Sequence, residues 1–276
     1  MINATGNKLT FEIARQSRLA RSIERTQTEI SGGTRILAPS DDPAASVRIS
    51  ALRRSQADNA TWLKNVDLGS SLTFQADGVL RSLNQHFARV QELVVQGASD
   101  SLPDDARQTI AAEIQSIAKE VAGLKATQSS LGEPLFSSTS ARQIRFANGV
   151  TFAPLPAAAE VFAPNGNDVE QQLTAIATAV AGGQRLELDR SLTAAAELVR
   201  HGSDVAADIG NAASRLNRLY EGLQLHALTL AEERSHIEDT DLTVAIATLN
   251  SQQLTLEAAQ AAFARINRRS LIDLLS

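Results

Sequence analysis

The chain has 276 residues and a net charge of −5, and only 4% of its residues are aromatic. That charge argues against a broad nucleic-acid surface, which is usually basic, and the absence of cysteine excludes disulfides and thiolate metal sites. One Trp, one Tyr and a background of Ala, Leu, Ser, Gln, Glu and Arg fit long helices better than one thick globular core.

Met1 to Leu9 has neither the basic start nor the apolar run of a cleavable secretory signal, and no stretch reaches transmembrane length. Leu9, Ile13, Gln16, Ala20, Ile23, Gln27 and Ile30 fall at alternating steps of four and three. This spacing predicts a helix over 8–31 with a narrow coiled-coil seam, not the broad apolar face of a helix packed on a globule. Gly32-Gly33 ends it, and Thr34 to Pro39 reads as an extended linker, with Pro39 biasing Ala38 away from helix. In Pro39-Ser40-Asp41-Asp42-Pro43, one of Ser40, Asp41 or Asp42 is the expected N-cap, with Pro43 in the first turn. The helix that follows reads without a break to about Gly97.

Pro103-Asp104-Asp105 starts another helix, whose face carries Ile110, Ile114, Ile117, Val121 and Leu124. Short connections between helices predict antiparallel neighbours. Residues 131–183 differ in character, with clustered Pro and Phe. Ile144 to Phe152 alternates around Asn148-Gly149, a hairpin signal. Asp168 is expected to cap a short helix closed by Gly182-Gly183. A second long helix spans 184–235, where Gly202, Gly210 and Gly222 mark bends or close approaches. Ile237 to Asp241 reads as a hinge.

The last helix repeats the opening pattern. Leu242, Ala245, Leu249, Gln252, Leu256, Ala259, Phe263 and Ile266 again step by four and three, and Ala258 lies off that seam. The two terminal seams are expected to pair with each other or with other copies. Gln16, Gln27 and Gln252 at core positions weaken that pairing while fixing register, so both ends are expected to order only on assembly. The predicted fold is mainly α: an elongated rod of long antiparallel helices, with paired N- and C-terminal coiled-coil helices and a small β-hairpin and loop element at the tip. The predicted parts are 1–40 (terminal helix and linker), 41–130 (rod helices), 131–183 (outer element), 184–236 (long rod helix) and 237–276 (C-terminal helix).

No chemistry stands out. His86, His201, His226 and His236 show no ligand spacing. The acidic run Glu232, Glu233, Glu238, Asp239 and Asp241 lacks a cation-binding loop and reads as capping and hinge solvation. There is no phosphate loop or nucleophile elbow. The tripeptides starting at Asn3 and Asn59 match the glycosylation pattern by chance. No catalytic residue, cofactor or metal is expected.

The joint pattern resembles the flagellin superfamily. Glu29-Ile30-Ser31-Gly32-Gly33-Thr34-Arg35-Ile36, followed by Pro39-Ser40-Asp41-Asp42-Pro43-Ala44-Ala45, is similar to that family's passage from the first terminal helix into the first rod helix. The C-terminal segment Leu249 to Leu275, ending Ser270-Leu271-Ile272-Asp273-Leu274-Leu275, and the stretch Ile209 to Leu219 are similar to its C-terminal regions. The prolines around the Asp pair resemble junction members of the family more than filament members. The middle departs from the pattern, since Leu135-Phe136 lacks the glycine expected after it. The resemblance implies a structural, non-enzymatic subunit of the bacterial flagellum at the hook–filament junction. It would be exported without a cleaved signal through the flagellar export apparatus, with or without a chaperone. It would self-assemble in a ring outside the cell, between a hook-side junction protein and filament flagellin, with no nucleic-acid or membrane partner. The alternatives are a filament flagellin and a cytoplasmic helical adaptor or signalling rod. The expected assembly interface is Leu9, Ile13, Ile23, Ile30, Leu242, Leu249, Leu256, Phe263, Ile266 and Leu271.

Overall fold

A computed structural model describes the backbone of residues 2–275 and the side chains of residues 10–265. The chain is mainly helical. In order come α1 (Ile2–Gly32), α2 (Pro43–Gly97), α3 (Asp104–Lys125), β1 (Ile144–Ala147), β2 (Val150–Phe152), α4 (Ala158–Phe162), a single 3-10 turn (Pro164–Gly166), α5 (Val169–Gly182), α6 (Arg185–Glu238) and α7 (Leu242–Leu275). Two compact units result: Met1–Ala57 with Leu228–Ser276, and Asp58–Ala227.

The second unit holds the larger core. The apolar positions of α2, Leu80, Leu83, Phe87, Val90 and Val94, are all buried. They meet Ile114, Ile117 and Val121 of α3, Leu173, Ile176 and Val180 of α5, and Leu188, Leu198, Val205 and Ile209 of α6. Full burial of each such side chain is worth roughly 1.5–3 kcal/mol, which offsets the entropy of ordering these helices. The antiparallel order follows from short turns. Arg185 Nη1 lies 2.9 Å from Asp100 Oδ1, and Arg107 Nη2 donates to Ser99 O at 3.0 Å, so the α2–α3 and α5–α6 turns meet at one end of the unit. At the other end of α3, Lys125 Nζ lies 2.6 Å from Asp168 Oδ2. Asp168 Oδ1 also caps α5 by accepting from Glu170 N at 2.9 Å. The Lys125 contact is the chief reason that the Asp168 carboxyl titrates below its ordinary value. Gly183, at φ 64°, closes α5 in the left-handed conformation that glycine adopts without a Cβ penalty.

The middle segment is packed into this unit rather than carried at a tip. Phe136 and Phe162 meet edge to face at 5.6 Å and are buried in the main core. The hairpin forms as expected, antiparallel, with Gly149 at positive φ in the turn. It lies along α2 and α6. Phe146 is fully buried against Val66, Leu216 and Leu223, and Asn65 Nδ2 donates to Arg145 O at 2.8 Å. The physical reason is the four phenylalanines of the segment, which gain more against the long helices than a separate small element would provide. Phe146 reaches the helix surface because residue 69 is glycine; a Cβ there would meet the ring at 3.0 Å.

The three glycines of α6 differ in role. Gly210 and Gly222 have nothing near where a Cβ would stand, whereas Gly202 faces Asn84 Oδ1 and lies 3.1 Å from Phe87 Cδ2 by the same measure. Asn84 Nδ2 donates to Gly202 O at 3.3 Å, and the buried Asn59 donates in the same way to Leu223 O at 3.1 Å. Two amides on α2 thus read the backbone of α6 and hold the register of the pair. Burial of Asn59, 1% exposed, also keeps a glycan off that tripeptide in the folded chain.

Gly202→Ala should destabilise this unit by about 1–3 kcal/mol through overpacking. In urea unfolding, Asn84→Ala combined with Gly202→Ala should cost less than the sum of the two single changes, because the same contact is removed in both.

Candidate functional site

The first unit holds the features that the sequence singles out. α1 and α7 are paired antiparallel within the one chain. On α7 the side facing α1 is formed by Ala245, Leu249, Gln252, Leu256, Ala259 and Phe263, all buried or half-buried. These are the seam positions read from the sequence. On α1 the facing side is Glu12, Gln16, Leu19, Ile23, Thr26 and Ile30. The four-three rhythm holds, but the face is rotated from the expected one. Gln16, Ile23 and Ile30 are shared, while Ile13, Ala20 and Gln27 point outward. Leu19 and Thr26 stand where Ala20 and Gln27 were expected, and the seam is polar at its centre. Gln252 Nε2 donates to Ser22 Oγ at 3.0 Å, and Thr26 Oγ1 donates to Gln252 Oε1 at 3.3 Å. Thr26 is 7% exposed, so these bonds satisfy groups that water does not reach freely.

The two linkers close the pair. Arg35 N donates to Glu238 O at 2.8 Å, and Thr240 N donates to Gly33 O at 2.9 Å. Thr34 and Asp239 thereby form an isolated antiparallel bridge. Gly33, at φ 68°, supplies the turn out of α1. Arg35 Nη2 adds a bond to Ile237 O at 3.0 Å. Beside the bridge, α2 and α6 are joined by Arg48 with Glu233, by Arg53 with Glu238 at 2.6 Å and by Arg234 Nη1 with Gln56 Oε1 at 3.0 Å. Arg48 and Arg53 are exposed and Arg234 is half-buried, so each contact adds little stability, but together they fix which faces meet.

The three capping candidates separate cleanly. Asp42 Oδ1 accepts from Ala45 N at 3.0 Å and is the N-cap of α2, with Pro43 at the first helical position. Asp41 instead folds the linker. Its Oδ2 accepts from Leu37 N at 3.1 Å and from Ala38 N at 3.0 Å, and its Oδ1 lies 3.0 Å from Arg25 Nη1 on α1. The Ala38 N–H, then the Leu37 N–H and Arg25, hold its carboxyl below the ordinary value. Ser40 and Pro39 are exposed. Asp241, in the acidic run read from the sequence as capping and hinge solvation, caps α7 by accepting from Thr243 N at 2.9 Å and Val244 N at 3.1 Å. The signal was Asp241 just before the apolar run.

Of the expected interface, Ile23, Ile30, Leu249, Leu256 and Phe263 lie in the α1–α7 seam. Ile13 and Leu242 do not; they are 53% and 49% exposed. The side chains of Leu9, Ile266 and Leu271 lie outside the described residues. Among the described residues no group of three His, Asp or Glu is placed to hold a metal ion, and no helix is long and apolar enough to cross a membrane.

Residues 11–141 match the bacterial flagellin N-terminal helical region, and residues 192–275 match the bacterial flagellin C-terminal helical region. The chain belongs to the flagellin family. It is a structural protein. Over 92% of its length it is similar, at 23% identity, to 95% of the flagellar hook-associated protein 3 of Escherichia coli. It is 24% identical to the Salmonella typhimurium protein of the same name over 64% of this chain and 53% of that one. The fold is similar to that of a putative flagellar hook-associated protein from Vibrio parahaemolyticus, with a TM-score of 0.65 at 22% identity over 72% of this chain and all of that one.

Gln252→Leu should weaken the terminal pair by about 1–2 kcal/mol, because the Ser22 hydroxyl loses its partner and Thr26 keeps only its bond to Ser22 O in a half-buried seam. The loss should appear in urea unfolding followed by a probe on α7. Asp41, with a depressed folded pKa, contributes fully above its ordinary value of 3.8 and loses that contribution as pH falls through the lower folded value. The Leu37 and Ala38 amide proton resonances should therefore shift only in acid below that value. In Asp41→Ala they should already be displaced at neutral pH.

Proposed function

We propose that this chain is a structural subunit at the hook–filament junction of the bacterial flagellum. The observation that carries the reading is the match to flagellar hook-associated protein 3 across nearly the whole of both chains. The geometry supports it. Both ends of the chain come together as one antiparallel pair, so each subunit presents a single terminal unit to its neighbours. Capped linkers lead from α1 into α2 and from α6 into α7. The partners are other copies of the chain in a ring, a hook-side junction protein on one side and filament flagellin on the other. The place of work is outside the cell, reached through the flagellar export apparatus. Ile13 and Leu242, open on the terminal pair, are available to neighbours.

A junction subunit and a filament subunit differ in what their loss leaves behind. Deleting the gene should leave hooks without filaments and release flagellin monomers into the medium. Filaments still attached to hooks in the deletion strain would contradict the reading, and so would absence of hooks.

A further inference from the structure

The chain has two Asn-Gly pairs, Asn148-Gly149 and Asn165-Gly166, both in its middle segment. All four residues are exposed. An asparagine before glycine can lose its side-chain amide without an enzyme. The next backbone nitrogen attacks the side-chain carbonyl carbon, and it reaches that carbon most easily where no Cβ stands in the way. The structure treats the two pairs differently. Ala147 pairs with Val150, so Asn148 and Gly149 are the two central residues of the hairpin turn, and the peptide bond between them stands outside the ladder. Among the described residues nothing accepts a hydrogen bond from Gly149 N. Gly149 has no atom within 4 Å of where a Cβ would stand, which leaves the turn room to rearrange. Arg145 Nη2 donates to Asn148 Oδ1 at 2.9 Å. Arginine carries donors only, so the amide turns its oxygen to Arg145.

The second pair is locked. Asn165 is left-handed, at φ 55° and ψ 26°. Gly166 N donates to Ala163 O at 3.0 Å, and Asn167 N donates to Pro164 O at 3.1 Å. Swinging Gly166 N onto the Asn165 side chain would rotate that peptide and break the first of these bonds.

We propose that Asn148 is a site of spontaneous deamidation in the folded chain, assisted by Arg145, and that Asn165 is protected. Gly149 N, giving up its proton, bonds to Asn148 Cγ. The bond from Cγ to Nδ2 breaks, and the side-chain nitrogen leaves as ammonia. Water then opens the five-membered imide. Opening at Cγ gives aspartate; opening at the backbone carbonyl carbon gives isoaspartate, in which the chain runs through the former side chain. Nothing is oxidised or reduced, and water is the one co-reactant. The Arg145 guanidinium polarises the amide carbonyl and stabilises the negative charge that grows on Oδ1 as the nitrogen adds. Either product puts a carboxylate at the hairpin tip beside Arg145. Isoaspartate also lengthens the turn by one carbon, two residues from the fully buried Phe146.

The test uses the purified full chain in mildly alkaline buffer, sampled over time, cleaved by a protease and read by mass spectrometry. The peptide holding Asn148 should show the mass gain of exchanging NH2 for OH and divide into aspartate and isoaspartate forms, while the peptide holding Asn165 stays unchanged. In urea both should convert at comparable rates. Folded chain in which Asn165 converts as fast as Asn148 overturns the proposal, and so does folded chain in which Asn148 is unchanged after both have converted in urea. Arg145→Met gives a second readout. Arg145 is exposed and its side chain bonds only to turn atoms, so the variant should keep the helical content of the parent. It should convert Asn148 roughly threefold more slowly when folded, the worth of one exposed charged contact, and at the parent's rate in urea. Equal or faster conversion in the folded variant would mean that Arg145 does not activate the amide, and overturns the proposal.

Discussion

The fold of the terminal unit depends on the bridge between Gly33–Arg35 and Glu238–Thr240. Those backbone bonds bring together two points that lie far apart in the sequence. Once they are held, α1 and α7 leave from adjacent positions and run antiparallel, and their seams enter in register. The loop-closure cost of joining such distant segments is met once at the bridge. The seam alone would meet it poorly, because Gln252, Thr26 and Gln16 occupy positions where a stable coiled coil has Leu or Ile. The capped linker adds the second constraint. Asp41 ties Leu37, Ala38 and Arg25 together, so the bridge is held from both sides.

A polar seam in register differs from a strong one. The bonds from Gln252 to Ser22 and Thr26 define one alignment and penalise slipped ones, where a buried amide would stand unpaired. The same logic runs through the larger unit, where Asn59 and Asn84 reach α6 carbonyls and Gly202 admits only the correct approach. Stability in that unit comes from Phe87, Ile114, Leu173 and Leu198, and specificity of alignment comes from these amides.

Most of the helix framework was legible from periodicity and punctuation. The Asp-Pro start of α2, the Asp168 cap, the Gly182-Gly183 stop and the Asn-Gly hairpin are local signals, and the structure bears each out. The α7 seam was legible for the same reason, since its apolar residues stand at regular steps. The α1 face was misread because Ile13 drew the stripe one residue off, while the actual face carries Thr26 and Ser22, which bond across to Gln252. That information lies in the partner helix and not in the local pattern. The packing of residues 131–166 was illegible for a related reason. Nothing local says that Phe146 will find Val66 and Leu216, and α4 is too short to show a period.

The central claim is that α1 and α7 are paired within one chain, which decides which surfaces remain for neighbours. Replacing Thr26 and Gln252 with cysteine in this otherwise cysteine-free chain tests it directly. In the dilute purified protein, oxidation should form a disulfide within the monomer, with faster migration on a gel without reductant and no dimer. If the two cysteines stay reduced, or join only between chains, the terminal helices are not partners in one subunit and the assignment of free surfaces is wrong.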